Sequence, residues 1–340
     1  MYDKKNLILA DSSFHLLLAA ALSKKLGTKN CIIFFLGKDT SYLTKLFFSH
    51  FNIENYNVQD LSFFNIHTKH KFKIEELKKK GINFLYTFYD TNHIFEFLKN
   101  ELNLSWNSVG LIDDGSASLH RVSMPKLYRR LPKALFNFIL FRFPVNLSRY
   151  NLGGNRNIKF FATIYLNYVY TSNLNSKIID INIHYNNILN NLDYFNLKNQ
   201  LISGSIIMLS PVLAYKRKTE FELLKYLNSL LLYCDKSKPV YFKPHPREDL
   251  LALKNVISKL DFKHELLSSI IPMELYFSYI NESTWLGMPS TSIFNRVFTN
   301  TSSIDKYIIL QEKNDPFPER LKTLSKVFKD FSINYKIYKS

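Results

Sequence analysis

Two adjacent carboxylates, Asp113 and Asp114, end an apolar run and are followed by glycine, in the stretch Leu-Ile-Asp-Asp-Gly-Ser. In an open α/β sheet, ligands bind beyond the carboxyl ends of the strands, so this position suits a reacting group. Repulsion between two neighbouring carboxylates raises the pKa of one of them, which favours a general base near neutral pH. Asp-Asp-Gly is also an ordinary turn sequence, so a purely structural role is the alternative.

A second candidate is His245, which lies between two prolines in the stretch Val-Tyr-Phe-Lys-Pro-His-Pro-Arg-Glu. Pro244 and Pro246 restrict the backbone around the imidazole, and Lys243 and Arg247 flank it with positive charge. The pattern predicts an anion site in which His245 donates a proton or a hydrogen bond to a departing phosphate. The alternative is an ordinary surface histidine in a loop.

Hydroxyl side chains precede a helical pattern at Ser290, Thr291 and Ser292. Hydroxyls and unpaired N–H groups at a helix start bind phosphate, whereas N-capping by Ser or Thr is the structural alternative. Glu274 falls in the first turn of another predicted helix, where a carboxylate either complements the helix dipole or accepts the two hydroxyls of a ribose. The sequence leaves both pairs of alternatives open.

Short apolar or β-branched runs alternate with helical patterns along the chain, which predicts βαβ units and parallel sheets. A less regular stretch from 146 to 199, rich in Asn and Tyr, separates two α/β halves. We therefore expect two domains, residues 1–200 and 201–340, with the first on the acceptor side and the second binding the nucleotide sugar. The last helix is then placed to pack back on the first domain.

The composition excludes several classes of protein. The 340-residue chain carries 45 Lys and Arg against 28 Asp and Glu, and its 46% hydrophobic content with few Gly and Pro excludes a disordered or collagen-like chain. Two distant cysteines, Cys31 and Cys234, exclude a disulfide framework or a Cys-based zinc site within one chain. We see no secretory signal and no apolar run of about 20 residues, so we expect a cytoplasmic protein, soluble or peripheral at the inner membrane.

The formal net charge of +17 needs a partner or another explanation, and the candidates are nucleic acid, an anionic membrane surface or an anionic substrate. One segment indicates a membrane surface. Residues 126–144 contain an apolar run with four phenylalanines, bordered by five basic residues: Lys126, Arg129, Arg130, Lys133 and Arg142. This composition is typical of an interfacial segment on anionic lipid. A buried helix with a solvated basic flank is an equal alternative.

Taken in order, Asp113-Asp114-Gly115, His245-Pro246 and Ser290-Thr291-Ser292 resemble the motifs of bacterial sialyltransferases, Asp-Asp/Glu-Gly, His-Pro and Ser-Ser/Thr, of glycosyltransferase families 52, 80 and 38. The stretch that begins at Asp11 and the pair Ser210-Pro211 look like two loops of family 52. The resemblance implies a GT-B architecture, with two Rossmann-like domains facing a central cleft. It also implies an inverting transfer from CMP-sialic acid that needs neither a metal nor a resident cofactor.

By this resemblance, Asp113 is the base with Asp114 in support, and His245 is the acid. Binding of the donor falls to Ser210, Lys243, Pro246, Glu274, Ser290, Thr291 and Ser292. The implied partners are CMP-sialic acid, a galactoside or sialylated glycan acceptor of lipooligosaccharide or capsule, and an anionic membrane. We expect no nucleic-acid partner, because the chain carries no recognisable binding motif for one.

One departure concerns the base. Some members of family 52 carry an aspartate in the Ser-Pro loop where this chain has Val212, so the role passes to Asp113 or Asp114. A transferase for another CMP-activated acidic sugar, such as Kdo or legionaminic acid, is an alternative function. A non-catalytic binder of an anionic polymer is a further one, supported only by the net charge.

Overall fold

The structure is a computed structural model. It describes residues 4–36, 51–57, 71–88, 93–113, 158–168, 176–191, 202–288, 290–299, 305–312 and 318–338. The chain divides into two compact units, Met1–Ile188 and Leu189–Ser340. Asp114 and the basic segment 126–144 lie outside the described residues, so the predictions made for them stay predictions.

The first unit contains a seven-stranded sheet. Its strands are β1 (Lys5–Ala10), β2 (Cys31–Phe35), β3 (Glu54–Asn57), β4 (Ile82–Thr87), β5 (Val109–Ile112), β6 (Phe160–Thr163) and β7 (Lys177–Asp180). The order across the sheet is β3-β2-β1-β4-β5-β6-β7, and every neighbouring pair is parallel. The described helices are α1 (Ser13–Leu26), α2 (Lys71–Lys79), α3 (His93–Glu101) and α4 (Asn182–Asn191).

The strands of this sheet are apolar because helices cover both faces of a parallel sheet. All five residues of β2 are buried. One face packs on α2 and α3 through a core that includes Leu7, Leu85 and Leu98. On the other face, α1 begins after Ser12, whose hydroxyl accepts a hydrogen bond from the His15 amide at 3.1 Å, as an N-cap residue does.

The second unit contains a six-stranded sheet. Its strands are β8 (Ile202–Met208), β9 (Val240–Lys243), β10 (His264–Leu266), β11 (Ile280–Gly287), β12 (Lys306–Glu312) and β13 (Asn334–Tyr338). Their order is β10-β9-β8-β11-β12-β13, again parallel throughout. The helices are α5 (Glu220–Leu231), α6 (Leu250–Ile257), α7 (Thr291–Thr299) and α8 (Pro318–Asp330), and a 3-10 helix covers Met273–Tyr279.

The strand order of the second sheet creates a switch point beside its first strand. β8 lies between β9 and β11. From β8 the chain continues to β9 and β10 on one side and then crosses to β11 on the other side, and folds of this order bind ligands at the carboxyl ends of the strands beside this reversal. Gly287 ends β11 opposite Met208, with φ of +139°. A Cβ at Gly287 would lie 2.5 Å from the Met208 carbonyl oxygen, so only glycine allows the two strands to approach this closely.

These two parallel sheets, each with helices packed against it, confirm the predicted fold class of two Rossmann-like α/β domains. Alternating apolar runs and helical patterns in the sequence were sufficient to predict it. Within the parts described, no helix combines the length and the apolar character needed to cross a membrane.

Candidate functional site

The loops after β8, β9 and β11 bring together most of the site residues predicted in the second unit. Ser210 follows β8, His245 follows β9, and Ser290 follows β11 and precedes α7. Because β8 lies between β9 and β11, the three loops are neighbours at the carboxyl edge of the sheet. They therefore surround the switch point, where doubly wound sheets bind ligands.

His245 is a half-buried imidazole in the loop after β9. Its Nδ1 accepts a hydrogen bond from the backbone N–H of Arg247 at 3.1 Å, so the proton of the neutral ring lies on Nε2. Burial, followed by the positive charges of Arg247 and Lys243, lowers the pKa of His245, and Glu248 opposes that shift. His245 is therefore a neutral hydrogen-bond donor at neutral pH. Pro246, the other half of the His-Pro pair, is exposed.

Glu248 holds the loop after β8, and the sequence analysis missed it. Its carboxylate is 7% exposed and accepts backbone hydrogen bonds from Val212 at 2.8 Å, Leu213 at 3.4 Å and Ala214 at 2.8 Å. The amide of Asp249 is a fourth donor, at 2.8 Å. A buried carboxylate with this many donors fixes the loop that begins at Ser210. The only sequence signal was an acidic residue three positions after His245.

Lys243 is a buried cation that binds backbone carbonyls. Its Nζ donates to the Ser268 oxygen at 2.7 Å and lies 3.5 Å from the Ser269 oxygen. Burial lowers the pKa of Lys243 to about 8, and the negative charge of Glu274 opposes that shift. The ammonium thus holds the loop that follows β10. Its role as a ligand of the nucleotide sugar stays a prediction.

Two side chains of α7 anchor this helix to the 3-10 helix Met273–Tyr279. Asn295 is fully buried, and its Nδ2 donates to Glu274 Oε1 at 2.8 Å. Arg296 donates from Nε to Asp305 at 2.8 Å and from Nη1 to the Phe277 carbonyl at 2.9 Å. Glu274 is therefore a buried acceptor beside the middle of α7, and the ribose contact expected of it stays a prediction.

Ser290 is the N-cap residue of α7, which is the structural role that the sequence analysis gave as the alternative to phosphate binding. Its Oγ accepts a hydrogen bond from the Ile293 amide at 3.3 Å. Thr291 and Ser292, in the first turn, are half-buried. Capping satisfies one of the N–H groups at a helix start, and the positive end of the helix dipole still favours an anion there. Capping by Ser290 and anion binding are thus compatible.

Asp113 lies in the other unit, directly after β5, and is fully buried. Its Oδ2 accepts a hydrogen bond from Thr163 Oγ1 at 2.6 Å. At the same edge of that sheet, His15 Nδ1 lies 2.5 Å from Asp11 Oδ1, and the His15 ring stacks on Phe88 at a centroid distance of 3.7 Å. The first sheet thus has its own carboxyl-edge cluster of ionisable groups. The role of Asp113 as the base stays a prediction.

The two cysteines are free thiols, and burial raises the pKa of both Cys31 and Cys234. Neither is a thiolate at neutral pH, so neither is a reactive nucleophile. Over the residues that the structure describes, no three His, Cys, Asp or Glu side chains are grouped as metal ligands.

No protein-family model matches the chain, and no curated protein matches it. Solved structures match its fold. Methanocaldococcus jannaschii UDP-GlcNAc 2-epimerase, in complex with UDP-GlcNAc and UDP, has a TM-score of 0.51 at 15% identity, over 94% of this chain and 86% of that chain. The S. aureus MnaA–UDP structure has a TM-score of 0.54 at 12% identity, over 91% of this chain and 79% of that chain. Neisseria meningitidis UDP-GlcNAc 2-epimerase bound to UDP-GlcNAc has a TM-score of 0.50 at 13% identity, over 96% of this chain and 91% of that chain. The shared fold confirms the GT-B type.

These structures correct the family resemblance drawn from the three motifs. They are UDP-GlcNAc 2-epimerases or hold UDP, whereas the motifs predicted a sialyltransferase. The sialyltransferase function, the CMP-sialic acid donor, the galactoside or sialylated acceptor and the other CMP-activated sugars were therefore wrong, together with the predicted partners. The physical reason is that each motif has two or three residues at a strand end, where Rossmann-like sheets bind phosphate. Such residues do not show which nucleobase or which sugar the site binds.

Proposed function

We propose that the chain is a sugar-nucleotide-processing enzyme that acts on a UDP-sugar, as an epimerase or a glycosyltransferase. The observation that carries the proposal is the meeting of His245, the loop held by Glu248 and the start of α7 at the switch point of the second sheet. The UDP and UDP-GlcNAc held by structures of similar fold support this choice of nucleotide.

The groups at this edge suit a diphosphate. The start of α7 attracts one phosphate through the positive end of the helix dipole, and the hydroxyls of Ser290, Thr291 and Ser292 lie there. The Nε2–H of neutral His245 donates to the other phosphate, and the exposed guanidinium of Arg247 adds positive charge. Glu274, buried beside α7, accepts hydroxyls of the ribose. Ser210 supplies a further hydroxyl from the loop after β8.

The same groups serve either reaction. In a transfer, the bond between the sugar and the β-phosphate oxygen breaks, and its electron pair leaves with UDP. The acceptor oxygen supplies the pair for the new bond and loses its proton to a base. Donors fixed before the reaction stabilise the charge on the departing UDP, and this stabilisation is the larger part of such catalysis. In an epimerisation, the same donors hold UDP while the configuration at one carbon of the sugar inverts.

Calorimetric titration with UDP and UMP tests the nucleotide. We expect UDP to bind more tightly than UMP, because the second phosphate reaches a second set of donors. His245→Ala should weaken UDP about tenfold, since it removes one hydrogen bond to a charged group. His184→Ala, the same change on α4 of the first unit, is the matched control and should leave the affinity unchanged. Failure of UDP to bind at millimolar concentration would overturn the proposal.

Product analysis then distinguishes the two reaction classes. The chain is incubated with UDP-GlcNAc and a panel of other UDP-sugars, with and without oligosaccharide acceptors, and the products are separated by chromatography and identified by NMR. An inverted sugar formed without acceptor identifies an epimerase. UDP release that depends on acceptor identifies a glycosyltransferase. Binding of UDP without turnover of any UDP-sugar contradicts an enzymatic role.

A further inference from the structure

A groove of about 730 Å³ lies on the first unit. It is lined by the beginning of β1, three residues of β4, the first residue of β6, the whole of β7 and the end of α1. Among the described residues, this lining includes none of Asp113, Asp11 and His15, so the groove is treated as separate from the candidate sites described above.

The register of the strands produces an aromatic floor. Tyr86, Gly110, Phe160 and Lys177 pair in one row across β4, β5, β6 and β7, so they share one face of the sheet. The ring of Tyr86 covers Gly110, where a Cβ would lie 2.4 Å from it. Phe160 stays half-buried and meets Phe84 edge-on, with centroids 5.2 Å apart. Apolar ring surface is thus left along the groove.

Lysines line the rim of this floor. Lys4, Lys25 and Lys177 are exposed, and none of them forms an ion pair within the part of the chain that the structure describes. The lining also contains one carboxylate, Asp180, whose Oδ1 accepts a hydrogen bond from the Asn182 amide at 2.9 Å. The described lining therefore offers three ammonium groups against one carboxylate, so its net charge is positive.

The spacing of the charges requires an extended ligand. β1 and β7, which begin next to Lys4 and at Lys177, are four strand positions apart in the sheet. At about 4.8 Å per strand this is about 19 Å. The charges of a single nucleoside diphosphate lie on adjacent phosphates, so one such group cannot meet both lysines. A chain with charges repeated along its length can.

We infer that the groove binds an oligosaccharide whose sugars carry carboxylates, of the uronic acid type. The apolar faces of sugar rings pack on Phe84 and Phe160, and the Asn83 amide, which both donates and accepts, matches their hydroxyls. Phosphate is disfavoured because, among the described lining residues, the cations are lysines and not the forked guanidinium that phosphate prefers.

Titration of the full chain with a hexamer of galacturonic acid tests the inference. We expect a Kd below about 1 mM that weakens with added salt, because exposed charges are screened. Maltohexaose, which is neutral, should bind at least about tenfold more weakly. The double variant Lys25→Gln and Lys177→Gln should lose about tenfold in affinity for the acidic hexamer. Lys236→Gln with Lys238→Gln, the same loss of charge on the second unit, should leave that affinity unchanged.

The outcomes separate this inference from the proposed function. UDP affinity, measured on the same samples, should be the same for both double variants, because the groove and the switch point lie in different units. Three outcomes would overturn the inference that this groove binds an acidic oligosaccharide. They are equal binding of maltohexaose, no binding of the acidic hexamer, and unchanged affinity of the Lys25 and Lys177 double variant. Tighter binding of a glutamate hexapeptide or a thymidine oligonucleotide overturns its ligand class. Loss of UDP binding alone overturns only the proposed function.

Discussion

The carboxylate of Glu248 accepts a hydrogen bond from the backbone N–H of Val212 at 2.8 Å, although 36 positions separate the two residues. Val212 lies just after Ser210, and Glu248 lies just after His245. The bond therefore fixes the loop after β8 to the loop after β9. Both loops border the switch point, so Glu248 sets the geometry of a site whose ligands it is not expected to touch.

Glu248→Gln should loosen this junction. Glutamine keeps the size of the side chain but has one acceptor oxygen, so it cannot satisfy all four amides and loses the charge that strengthens each bond. We expect unfolding of the second unit to cost about 2 kcal/mol less. Urea denaturation followed by Trp285 fluorescence measures it, in a Trp106→Phe background so that the signal comes from the second unit.

Glu220→Gln is the matched control for that change. Glu220 is also a glutamate of the second unit, but its side chain is 44% exposed and pairs with Lys259 at 3.3 Å on the surface. An exposed ion pair contributes about 0.5 kcal/mol. Equal effects of the two substitutions on the unfolding free energy would mean that the bonds of Glu248 to the loop stabilise the second unit no more than a surface ion pair does.

Gly287→Ala should strain the switch point itself. The new Cβ would lie 2.5 Å from the Met208 carbonyl oxygen, in a backbone conformation with φ of +139°. We expect a loss of about 3 kcal/mol in unfolding free energy, because both the contact and the conformation are unfavourable. Gly81→Ala is the control, since Gly81 has φ of +65° and open space around it; its cost should stay near 1 kcal/mol. Similar losses of unfolding free energy for the two substitutions would show that β8 shifts at little cost to make room for the new Cβ at position 287.

The architecture could be predicted from the sequence because it depends on local patterns. Runs such as Cys-Ile-Ile-Phe-Phe are long enough to form a buried strand, and the helical patterns between them require parallel crossovers. The sequence also placed Asp113, His245 and Ser290 after strand ends, where the structure has them. In each case the residues that carry the information are neighbours in the sequence.

The contacts that hold the site could not be predicted, because they join residues far apart in the chain. The bond from Val212 to Glu248 and the bond from Asn295 to Glu274 leave no local pattern. Lys243 had the sequence context of a ligand-binding cation, yet its ammonium binds the Ser268 carbonyl inside the fold. The nucleotide was assigned wrongly because residues such as His245 and Ser290 predict a phosphate site and carry no information about the nucleobase.

Thr163→Val should destabilise the carboxyl edge of the first sheet. The Thr163 hydroxyl donates to Asp113 at 2.6 Å and accepts from the Tyr165 amide at 2.9 Å, and valine removes both bonds at nearly constant volume. A loss of about 2 kcal/mol is expected. Hydrogen exchange followed by mass spectrometry should show faster exchange in β5 and β6. Thr284→Val, a half-buried threonine of β11, should change no peptide of the first unit.

The buried ammonium of Lys243 should make the stability of the second unit depend on pH. Its pKa is lowered to about 8 in the folded chain, against about 10.4 for an ordinary lysine. Between these values the unfolded chain holds a proton that the folded chain has lost, so stability rises with pH in that window. Below pH 8 both states are charged, and the cost of burying the charge is present in full.

Comparison with Lys243→Met isolates this contribution, because methionine cannot titrate. The unfolding free energy of the wild type minus that of Lys243→Met should increase by about 3 kcal/mol from pH 7 to pH 10.5. Urea denaturation at half-unit steps of pH, again with Trp285 as the reporter, measures the difference. Lys225→Met on the exposed face of α5 sets the background for removing a surface charge. A difference that stays constant or falls across this window would mean that Lys243 keeps its charge inside the fold.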